Sequence, residues 1–369
     1  MNVVIIGCGV VGAAIAYELS LVKKFQITVI DRQPPAQAST GAALGVLMGV
    51  ISHKVKGRAW QRRQTSLQRY ETLIPELEAV TGRQIPYNRQ GILSLFESEE
   101  NLAGWENLAA VRHSQGWKLE LWDTAKLKNL CPQIDHAKIT GAVYSPQDRQ
   151  LDPTALTLAL VEAAQQNGVT FKFGVNVLGM NTPNPEIDKV SKSSSVETTE
   201  GKIAADWIVV AAGLGSTPLT AQLNQKLDIR PVLGQALHIH LDKPLGNSDF
   251  QPVITGNDVH VVPLGGGDYW VGATVEFPSN GDEVRPNPEL LREIWQHAIA
   301  FCPDLAPAQI IRTWSGLRPR PEGRPAPVIE QLPGFSNILL ATGHYRNGVL
   351  LAPATADAIR EMITSSDLS

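Results

Sequence analysis

The chain opens with a short apolar run at residues 3–6 that no polar position interrupts. Such a run is typical of a β-strand that is buried on both faces. Two later runs, at residues 207–213 and 338–343, have the same form and also end in small residues. We expect these three strands to meet in one parallel sheet, at whose carboxyl edge ligands bind.

Three glycines follow the first strand with the spacing G-x-G-x-x-G, at Gly7, Gly9 and Gly12, and an alanine-rich helical segment comes next. A second apolar run ends at Asp31, 24 residues after Gly7, close to the separation of about 20 residues in dinucleotide-binding βαβ units. There the glycines permit a tight turn, the approach of a pyrophosphate and close helix packing. The helix N-terminus favours the phosphates. The pattern predicts a dinucleotide site, because a glycine-rich turn in another α/β fold would leave the acidic residue unexplained.

The two later strands bear on which dinucleotide is bound. A nicotinamide enzyme usually completes its site within one contiguous domain, whereas strands that return from distant parts of the chain suit an extended FAD molecule. Residues 39–45 are small and suited to wrapping phosphate and ribityl groups, although a flexible surface loop is the alternative interpretation. The sequence therefore predicts FAD, and a nicotinamide dehydrogenase remains a competing hypothesis.

The segments between these strands indicate a second sheet. Three of them, centred near residues 91, 147 and 266, have hairpin character. We predict an α/β fold with a Rossmann-like FAD-binding domain around a central parallel sheet and an inserted α+β substrate-binding domain with a mainly antiparallel sheet. The first domain comprises residues 1–85, 148–222 and 324–369, and the second comprises residues 86–147 and 223–323.

Composition narrows the class of protein. The chain has 369 residues, of which 43% are hydrophobic and 18% are charged, as expected of two globular domains. A net charge of −4 argues against nucleic acid as a partner. Three scattered cysteines predict a reducing compartment and no metal site. No basic segment precedes the first apolar run, and no apolar run reaches bilayer length. We therefore expect a cytoplasmic protein without a transmembrane segment.

Two strings near the C-terminus carry a resemblance to a known family. They are WSGLRPRPEGRPAPVI at residues 314–329 and ATGHYRNGVLLAPATADAI at residues 341–359. With the opening fingerprint, they resemble the D-amino-acid oxidase and sarcosine oxidase group of flavoenzymes. Within that group the chain is most similar to the bacterial glycine oxidases, which are associated with making the thiazole of thiamine. The resemblance covers essentially the whole chain.

The resemblance implies a reaction. It implies non-covalent FAD and the oxidation of a small primary or secondary amine next to a carboxylate, by hydride transfer from the α-carbon to flavin N5. The expected substrate is glycine or a small D- or N-methyl amino acid, and the products are an imino acid and, with oxygen as acceptor, hydrogen peroxide. A homo-oligomer is also implied. The alternatives are a D-amino-acid or proline-type dehydrogenase with another electron acceptor, and a flavin-binding subunit without turnover.

The resemblance also implies roles for individual residues. Arg318 matches the arginine that clamps the substrate carboxylate, and Arg346 matches an arginine at the substrate side of the flavin. His260 stands where glycine oxidases have a tyrosine that helps to hold the carboxylate, and Val275 stands where they have a methionine. These two departures affect substrate preference. From the residues alone, a salt bridge inside the fold is the alternative role for Arg318.

The last string also contains a local signal for a helix start. Proline is tolerated in the first turn of a helix, so Pro353 predicts a start between Gly348 and Leu350. The free N–H groups of that turn should face the N1–C2=O edge of the flavin. His344 is either a contact to flavin or substrate, or a core histidine. The candidate cofactor residues are Gly7, Gly9, Val10, Val11, Gly12, Asp31, Arg32, Ser39, Thr40, Ala42, Ala43, Gly45, Val46, Val177, Ala212, Gly213, His344, Arg346, Asn347, Gly348, Val349 and Leu350.

Overall fold

The computed structural model describes residues 1–97, 102–134, 139–181, 191–278 and 283–365. The strands are β1 (Asn2–Ile6), β2 (Gln26–Asp31), β3 (Val46–Leu47), β4 (Tyr87–Asn88), β5 (Ile92–Phe96), β6 (Glu120–Asp123), β7 (Gly141–Ser145), β8 (Arg149–Leu151), β9 (Thr170–Phe173), β10 (Val177–Asn181), β11 (Ser195–Thr198), β12 (Gly201–Ala204), β13 (Trp207–Val210), β14 (Ile229–His240), β15 (Val253–Gly256), β16 (Val259–Gly265), β17 (Asp268–Gly272), β18 (Gln309–Pro321), β19 (Val328–Gln331) and β20 (Ile338–Thr342). The helices are α1 (Val10–Ser20), α2 (Ala38–Gly41), α3 (Gly57–Thr81), α4 (Leu102–Ser114), α5 (Thr124–Leu130), α6 (Pro153–Gln166), α7 (Ser216–Ala221), α8 (Pro288–Phe301) and α9 (Gly348–Ser365).

The first sheet has six strands in the order β19-β20-β13-β1-β2-β9. All neighbours from β20 to β9 run parallel, and β19 pairs antiparallel at the edge. The three strands that end in small residues, β1, β13 and β20, are adjacent in this sheet. The prediction that they meet at one carboxyl edge is therefore confirmed.

Apolar residues on both faces of β1 explain why its sequence shows no alternation. Val3 and Ile5 pack in the core beneath helices α1, α3, α6 and α9, and Val4 and Ile6 pack in a second core. That second core also receives residues of the small sheet β10-β11-β12. Both faces are thus removed from water, as is usual for parallel strands.

The second large sheet has eight strands in the order β18-β14-β17-β16-β15-β5-β7-β6. Its pairs are antiparallel except for the parallel pair of β15 with β5. The long strands β14 and β18 pair along nearly their whole length, from Ile229 opposite Pro321 to His240 opposite Gln309. A small sheet, β3-β8-β4, is the remaining one in the residues that the structure describes.

The predicted α/β fold class is confirmed, since a mainly parallel sheet with covering helices is combined with a mainly antiparallel sheet. The domain boundaries stay a prediction. The hairpin near residue 266 is confirmed by the antiparallel pair β16 and β17. The other two hairpins are wrong: β4 pairs with β8 instead of β5, and β7 pairs with β5 and β6 instead of β8. Their turn residues reverse the chain, but partners distant in sequence complete the sheets.

Helix α9 begins at Gly348, within the predicted range, but the reasoning from proline was wrong. Pro353 is the sixth residue of the helix and lies beyond its first turn, so its missing N–H leaves the carbonyl of Val349 without its intrahelical donor. The hydroxyl of Tyr70, on α3, donates a hydrogen bond to that carbonyl. A residue from another helix therefore compensates for the proline.

A second α3 residue contacts the same turn of α9. The N–H of Ala354, which follows the proline, donates to the hydroxyl of Ser66 at 3.2 Å. Ser66 and Tyr70 are one turn apart on α3, and neither side chain is exposed to solvent.

Within the described residues no helix is both long and apolar enough to cross a membrane.

We expect Tyr70→Phe to destabilise the protein by about 1–3 kcal/mol, because the buried carbonyl of Val349 would lose its donor. Tyr87→Phe is the matched control, since that hydroxyl donates to the exposed Glu71 at 3.0 Å, and its removal should cost less than about 1 kcal/mol. Denaturant unfolding measures both variants. Equal and small effects would show that the proline turn does not depend on Tyr70.

Candidate functional site

Two of the fingerprint glycines, Gly7 and Gly12, lie where side chains do not fit. A Cβ at Gly12 would come within 1.9 Å of the carbonyl oxygen of Gly7, and a Cβ at Gly7 would meet the carbonyl of Ala211 at 2.5 Å. Gly7 also has a φ of 107°, which favours glycine. The backbone of β1 therefore turns directly into α1, with the helix packed closely on the strand.

The predicted loop residue Thr40 contacts the N-terminus of α1. Its hydroxyl accepts a hydrogen bond from the N–H of Val10 at 3.1 Å and lies 3.1 Å from a Cβ built on Gly9. The hydroxyl thus accepts a hydrogen bond from one of the N–H groups that a helix leaves without a partner at its start. The remaining positive end of the helix is available to a phosphate.

Asp31 lies at the carboxyl end of β2, beside the fingerprint. Its carboxylate accepts the N–H of Cys8 at 2.6 Å and the N–H of Gln33 at 2.9 Å. These bonds fix the carboxylate at the sheet edge and leave further lone pairs for a hydroxyl ligand. The backbone carbonyl of Asp31 accepts the N–H of Val175 at 3.2 Å, which places the segment leading to Val177 next to it.

The ends of β13 and β20 are tied together at the same edge. The hydroxyl of Ser216 donates to that of Thr342 at 2.8 Å, and Thr342 donates to the carbonyl of Gly213 at 3.2 Å. Ala212 and Gly213 therefore lie beside the segment that leads into α9. The predicted convergence of three glycine-ended strands is fixed by side-chain hydrogen bonds as well as by pairing.

The segment that follows Asp31 connects the two large sheets. Ser39 donates from its hydroxyl to the carbonyl of Leu317 at 2.6 Å, and the indole N–H of Trp314 donates to the carbonyl of Ala42 at 3.1 Å. A Cβ at Gly316 would come within 2.2 Å of the Cβ of Ala42. This segment is therefore packed against β18 and is not a flexible surface loop.

Arg318 projects from β18 across the neighbouring strand β14. Its guanidinium lies flat over Gly234, where a Cβ would come within 2.3 Å of Nη2. Nη1 donates to the carbonyls of Leu233 and Thr274, each at 3.0 Å. In the described part of the chain, Nε and Nη2 have no hydrogen-bond acceptor. One edge of the guanidinium is therefore anchored by backbone, and the other edge is free for a ligand.

Two arginines that closely follow Arg318 in the sequence are paired with carboxylates, whereas Arg318 has no such partner among the described residues. Arg320 forms an ion pair with Glu322 at 2.9 Å, and Arg324 forms one with Glu330 at 2.7 Å. No carboxylate of the described residues lies within 4.0 Å of the Arg318 guanidinium. The alternative role for Arg318, a salt bridge inside the fold, is thus not observed in these residues.

The three candidate catalytic residues, Arg318, Arg346 and His260, lie together in what we call the cationic cluster, after its two arginines. Burial, and next to it the charge of Arg346, lowers the pKa of Arg318 from its ordinary value. Burial, and after it the charge of Arg346, lowers the pKa of His260 to about 4, with smaller opposing effects of Asp258, which raises it, and Arg318, which lowers it. His260 is therefore neutral at pH 7, and its Nδ1 is 2.9 Å from the hydroxyl of Thr255. The cluster attracts anions, with a neutral imidazole at its side.

His344 is a buried, hydrogen-bonded histidine, as one of the two interpretations held. The hydroxyl of Thr355 donates to the carbonyl of Leu351 at 2.8 Å and is 2.9 Å from His344 Nε2. Because that hydroxyl has a single hydrogen, which it donates to Leu351, the Nε2–H of His344 must donate to the hydroxyl oxygen. Burial, and then the charge of Arg62, lowers the pKa of His344 to about 3. Contact between this ring and a cofactor stays a prediction.

The other predicted cofactor residues are distributed around the same edge. Arg346 is exposed, and Asn347 and Gly348 are partly exposed where α9 begins. Val11 lies in α1, and Arg32 is exposed after β2. Ala43 lies shortly before Gly45, whose φ is positive, and Val46 opens β3. Val349 and Leu350 are buried in the first turn of α9.

Two further groups of side chains have partners within the fold. His238 and His240 lie on one face of β14, where a ring nitrogen of each is close to the same carboxylate oxygen of Asp268, at 3.2 and 3.1 Å. The cysteines Cys8, Cys131 and Cys302 are buried thiols without a disulfide. Among the described residues no group of three or more histidine, cysteine or acidic side chains is arranged to hold a metal ion.

Sequence reasoning missed the residues that support Arg318 and His260. These are Gly234, Thr255, Thr274 and Glu276. Gly234 had a usable signal, because a glycine inside a strand often marks the close approach of another group. Thr274 and Glu276 had none, since their partners on β14 and β18 are distant in the sequence. Thr255 is close to His260 in the sequence, but a threonine in a strand is too common to serve as a signal.

The edge of the first sheet fits FAD. The glycine turn leaves no room for side chains, α1 directs its N-terminus at the turn, and Asp31 is held beside it. A second helix N-terminus, that of α9, begins directly after the cationic cluster. Two positive helix ends at separate places suit a ligand that has a pyrophosphate at one point and a polar ring edge at another.

Comparison with known proteins identifies relatives. Residues 2–362 match the model of the DAO family, described as FAD dependent oxidoreductase. The chain is 31% identical to the bifunctional protein ThiO/ThiG of Nostoc sp. over 98% of its own length, but it spans only 52% of that relative. It is 27% identical to the glycine oxidase of Geobacillus kaustophilus, covering all of this chain and 95% of the other. The crystal structure of a glycine oxidase from Bacillus cereus superposes with a TM-score of 0.86 at 25% identity, over 99% and 95% of the two chains.

The two buried histidines make stability depend on pH. An unfolded histidine gains a proton below about pH 6.5, whereas His260 and His344 gain one only near pH 4 and 3. Their stabilisation is therefore complete above pH 6.5 and is lost as the pH falls through that window. Between pH 7 and pH 5, we expect the free energy of unfolding to fall by about 2 kcal/mol less in His344→Gln than in the wild type.

Denaturant unfolding at the two pH values measures this difference. His113→Gln, at an exposed position on α4, controls for the replacement of a histidine elsewhere. If wild type and His344→Gln lost stability equally, His344 would not be a buried neutral group.

Proposed function

The chain belongs to the DAO family of FAD-dependent oxidoreductases and binds FAD, and from this premise we propose that it oxidises glycine or a small D- or N-methyl amino acid. The α-carbon is the site of oxidation and an imino acid is the product. With oxygen as the final electron acceptor, hydrogen peroxide is formed. The observation that carries this proposal is the guanidinium of Arg318, which is partly buried and has no carboxylate within 4.0 Å among the described residues.

The free edge of Arg318 supports a carboxylate substrate. A charge removed from water is costly unless it is paired, and Nη1 alone is satisfied by backbone carbonyls. Nε and Nη2 form a planar pair of donors that matches the two oxygens of a carboxylate. An α-amino acid bound there has its α-carbon one bond from the carboxylate carbon, so the contact with the guanidinium orients the C–H bond that is broken.

The neighbouring residues suit the other parts of such a substrate. His260, held neutral by burial and by two guanidinium groups, offers a hydrogen bond to the carboxylate without adding charge. A bound FAD supplies the acceptor for the hydride from the α-carbon. The N-terminus of α9 supports negative charge close to Arg346. The relatives named glycine oxidase support a small substrate, and His260 and Val275 are where we expect this chain to differ in preference.

A panel of amino acids tests the proposed reaction. We expect anaerobic mixing of the FAD-loaded protein with glycine, sarcosine or small D-amino acids to bleach the flavin absorbance, and aeration to restore it with release of hydrogen peroxide. An artificial electron acceptor used in parallel separates an oxidase from a dehydrogenase. A flavin that no amino acid in the panel bleaches would refute the proposal and favour a subunit without turnover.

Replacement of Arg318 tests the carboxylate contact. We expect Arg318→Ala to lower kcat/KM for the best amino acid, with a loss of about 2–5 kcal/mol in transition-state stabilisation, because a charge-assisted contact disappears. Arg318→Lys should recover only part, since an ammonium lacks the planar fork. FAD content should not change, because the guanidinium lies over Gly234 and away from the fingerprint turn.

Arg324→Ala is the matched control, since it removes an arginine whose partner, Glu330, lies at the surface. Near wild-type turnover by Arg318→Ala with its flavin in place would move the clamp to another residue, and Arg346 would be the next candidate.

A further inference from the structure

Glu276 is a buried carboxylate close to Arg318 that does not contact it directly. Only 6% of its surface is exposed. Its Oε1 accepts hydrogen bonds from the amide of Gln235 at 2.8 Å and from the hydroxyl of Thr274, and its Oε2 accepts the backbone N–H of Asn287 at 3.0 Å. Every polar contact of this carboxylate is therefore with a donor, and the donors come from three separate segments.

These contacts fix residues 274–276 against β14. Leu233 and Glu276 exchange two backbone hydrogen bonds, each of 2.9 Å. Thr274 donates its N–H to the carbonyl of Gln235 at 3.2 Å, and its hydroxyl accepts the N–H of Gln235 at 2.8 Å. The segment thus behaves as a short extra strand whose register is set by one carboxylate and one hydroxyl.

The same short strand holds Arg318. The two acceptors of Nη1 are the carbonyl of Leu233, on β14, and the carbonyl of Thr274, on the short strand. A shift of the short strand would move one acceptor and leave the other in place, so the plane of the guanidinium would rotate. Val275, between Thr274 and Glu276, would move with it.

We propose that Glu276 is a positioning residue for substrate binding, which acts through Thr274 to set the direction of the free Nε and Nη2 edge of Arg318. This inference rests on the proposed function, in which that edge binds the substrate carboxylate. Glu276 does not touch the substrate. Its negative charge also favours the charged form of Arg318, which offsets part of the cost of burial.

The chemistry of the site requires a carboxylate at this position. All three partners are donors. A glutamine at residue 276 would therefore direct its NH2 group at one side of the site, either at Gln235 and Thr274 together or at Asn287. At least one hydrogen bond would be replaced by a contact between two donors, and a buried donor without an acceptor is costly. Glu276→Gln keeps the shape of the side chain and removes only this complementarity.

The test measures the binding of acetate to the FAD-loaded protein through the change in flavin absorbance. We expect Glu276→Gln to raise the Kd for acetate about tenfold, equal to about 1.4 kcal/mol. Thr274→Val should have a similar effect, and Thr274→Ser, which retains the hydroxyl, should restore most of the affinity. Glu330→Gln is the matched control with the same change of charge, and its Kd should stay within about twofold of wild type.

A comparison of two substrates separates positioning from general damage. Glycine has the carboxylate and glycine ethyl ester does not, so Glu276→Gln should raise KM for glycine with little change for the ester, and FAD content should stay at the wild-type value. An unchanged acetate Kd in both Glu276→Gln and Thr274→Val would overturn the inference. Equal losses for glycine and the ester would also overturn it. A wild-type protein that binds no carboxylate would refute the proposed function and the inference together.

Discussion

A guanidinium that has no carboxylate partner in the described part of the chain is the feature on which the candidate site depends. Arg318 is held over Gly234 by two backbone carbonyls, whereas Arg320 and Arg324 are paired with their own glutamates. Protein interiors rarely retain an unpaired charge unless a ligand pairs with it. We therefore propose that the substrate carboxylate supplies the other half of this ion pair.

The position of this guanidinium follows from contacts between the two large sheets. Residues 39–46 leave the dinucleotide edge of the first sheet and pack against β18, through the hydroxyl of Ser39 and the backbone of Ala42. On the other side, β20 passes through the cationic cluster into α9, whose irregular turn at Pro353 is held by Tyr70. The cofactor edge and Arg318 are thereby linked from both directions, which suits the proposed hydride transfer over a short distance.

How much of this could be predicted from the sequence depended on how local the signal was. The glycine turn, Asp31 and the three adjacent strands were predictable, because strands buried on both faces and glycines at fixed spacing leave a clear local pattern. Two hairpins were predicted wrongly, since strand partners are chosen by burial across the whole chain. The support of Arg318 by Thr274 and Glu276 was not predictable, because it joins residues that are distant in sequence and have no shared motif.

We propose that the substrate carboxylate binds the Nε and Nη2 edge of Arg318 while Nη1 remains on the carbonyls of Leu233 and Thr274. A crystal structure of the FAD-loaded protein with acetate is the direct test of this geometry. We expect two acetate oxygens within about 3 Å of Nε and Nη2, with the imidazole of His260 beside them. Acetate bound to Arg320 or Arg346, with no ligand at the free edge of Arg318, would contradict it.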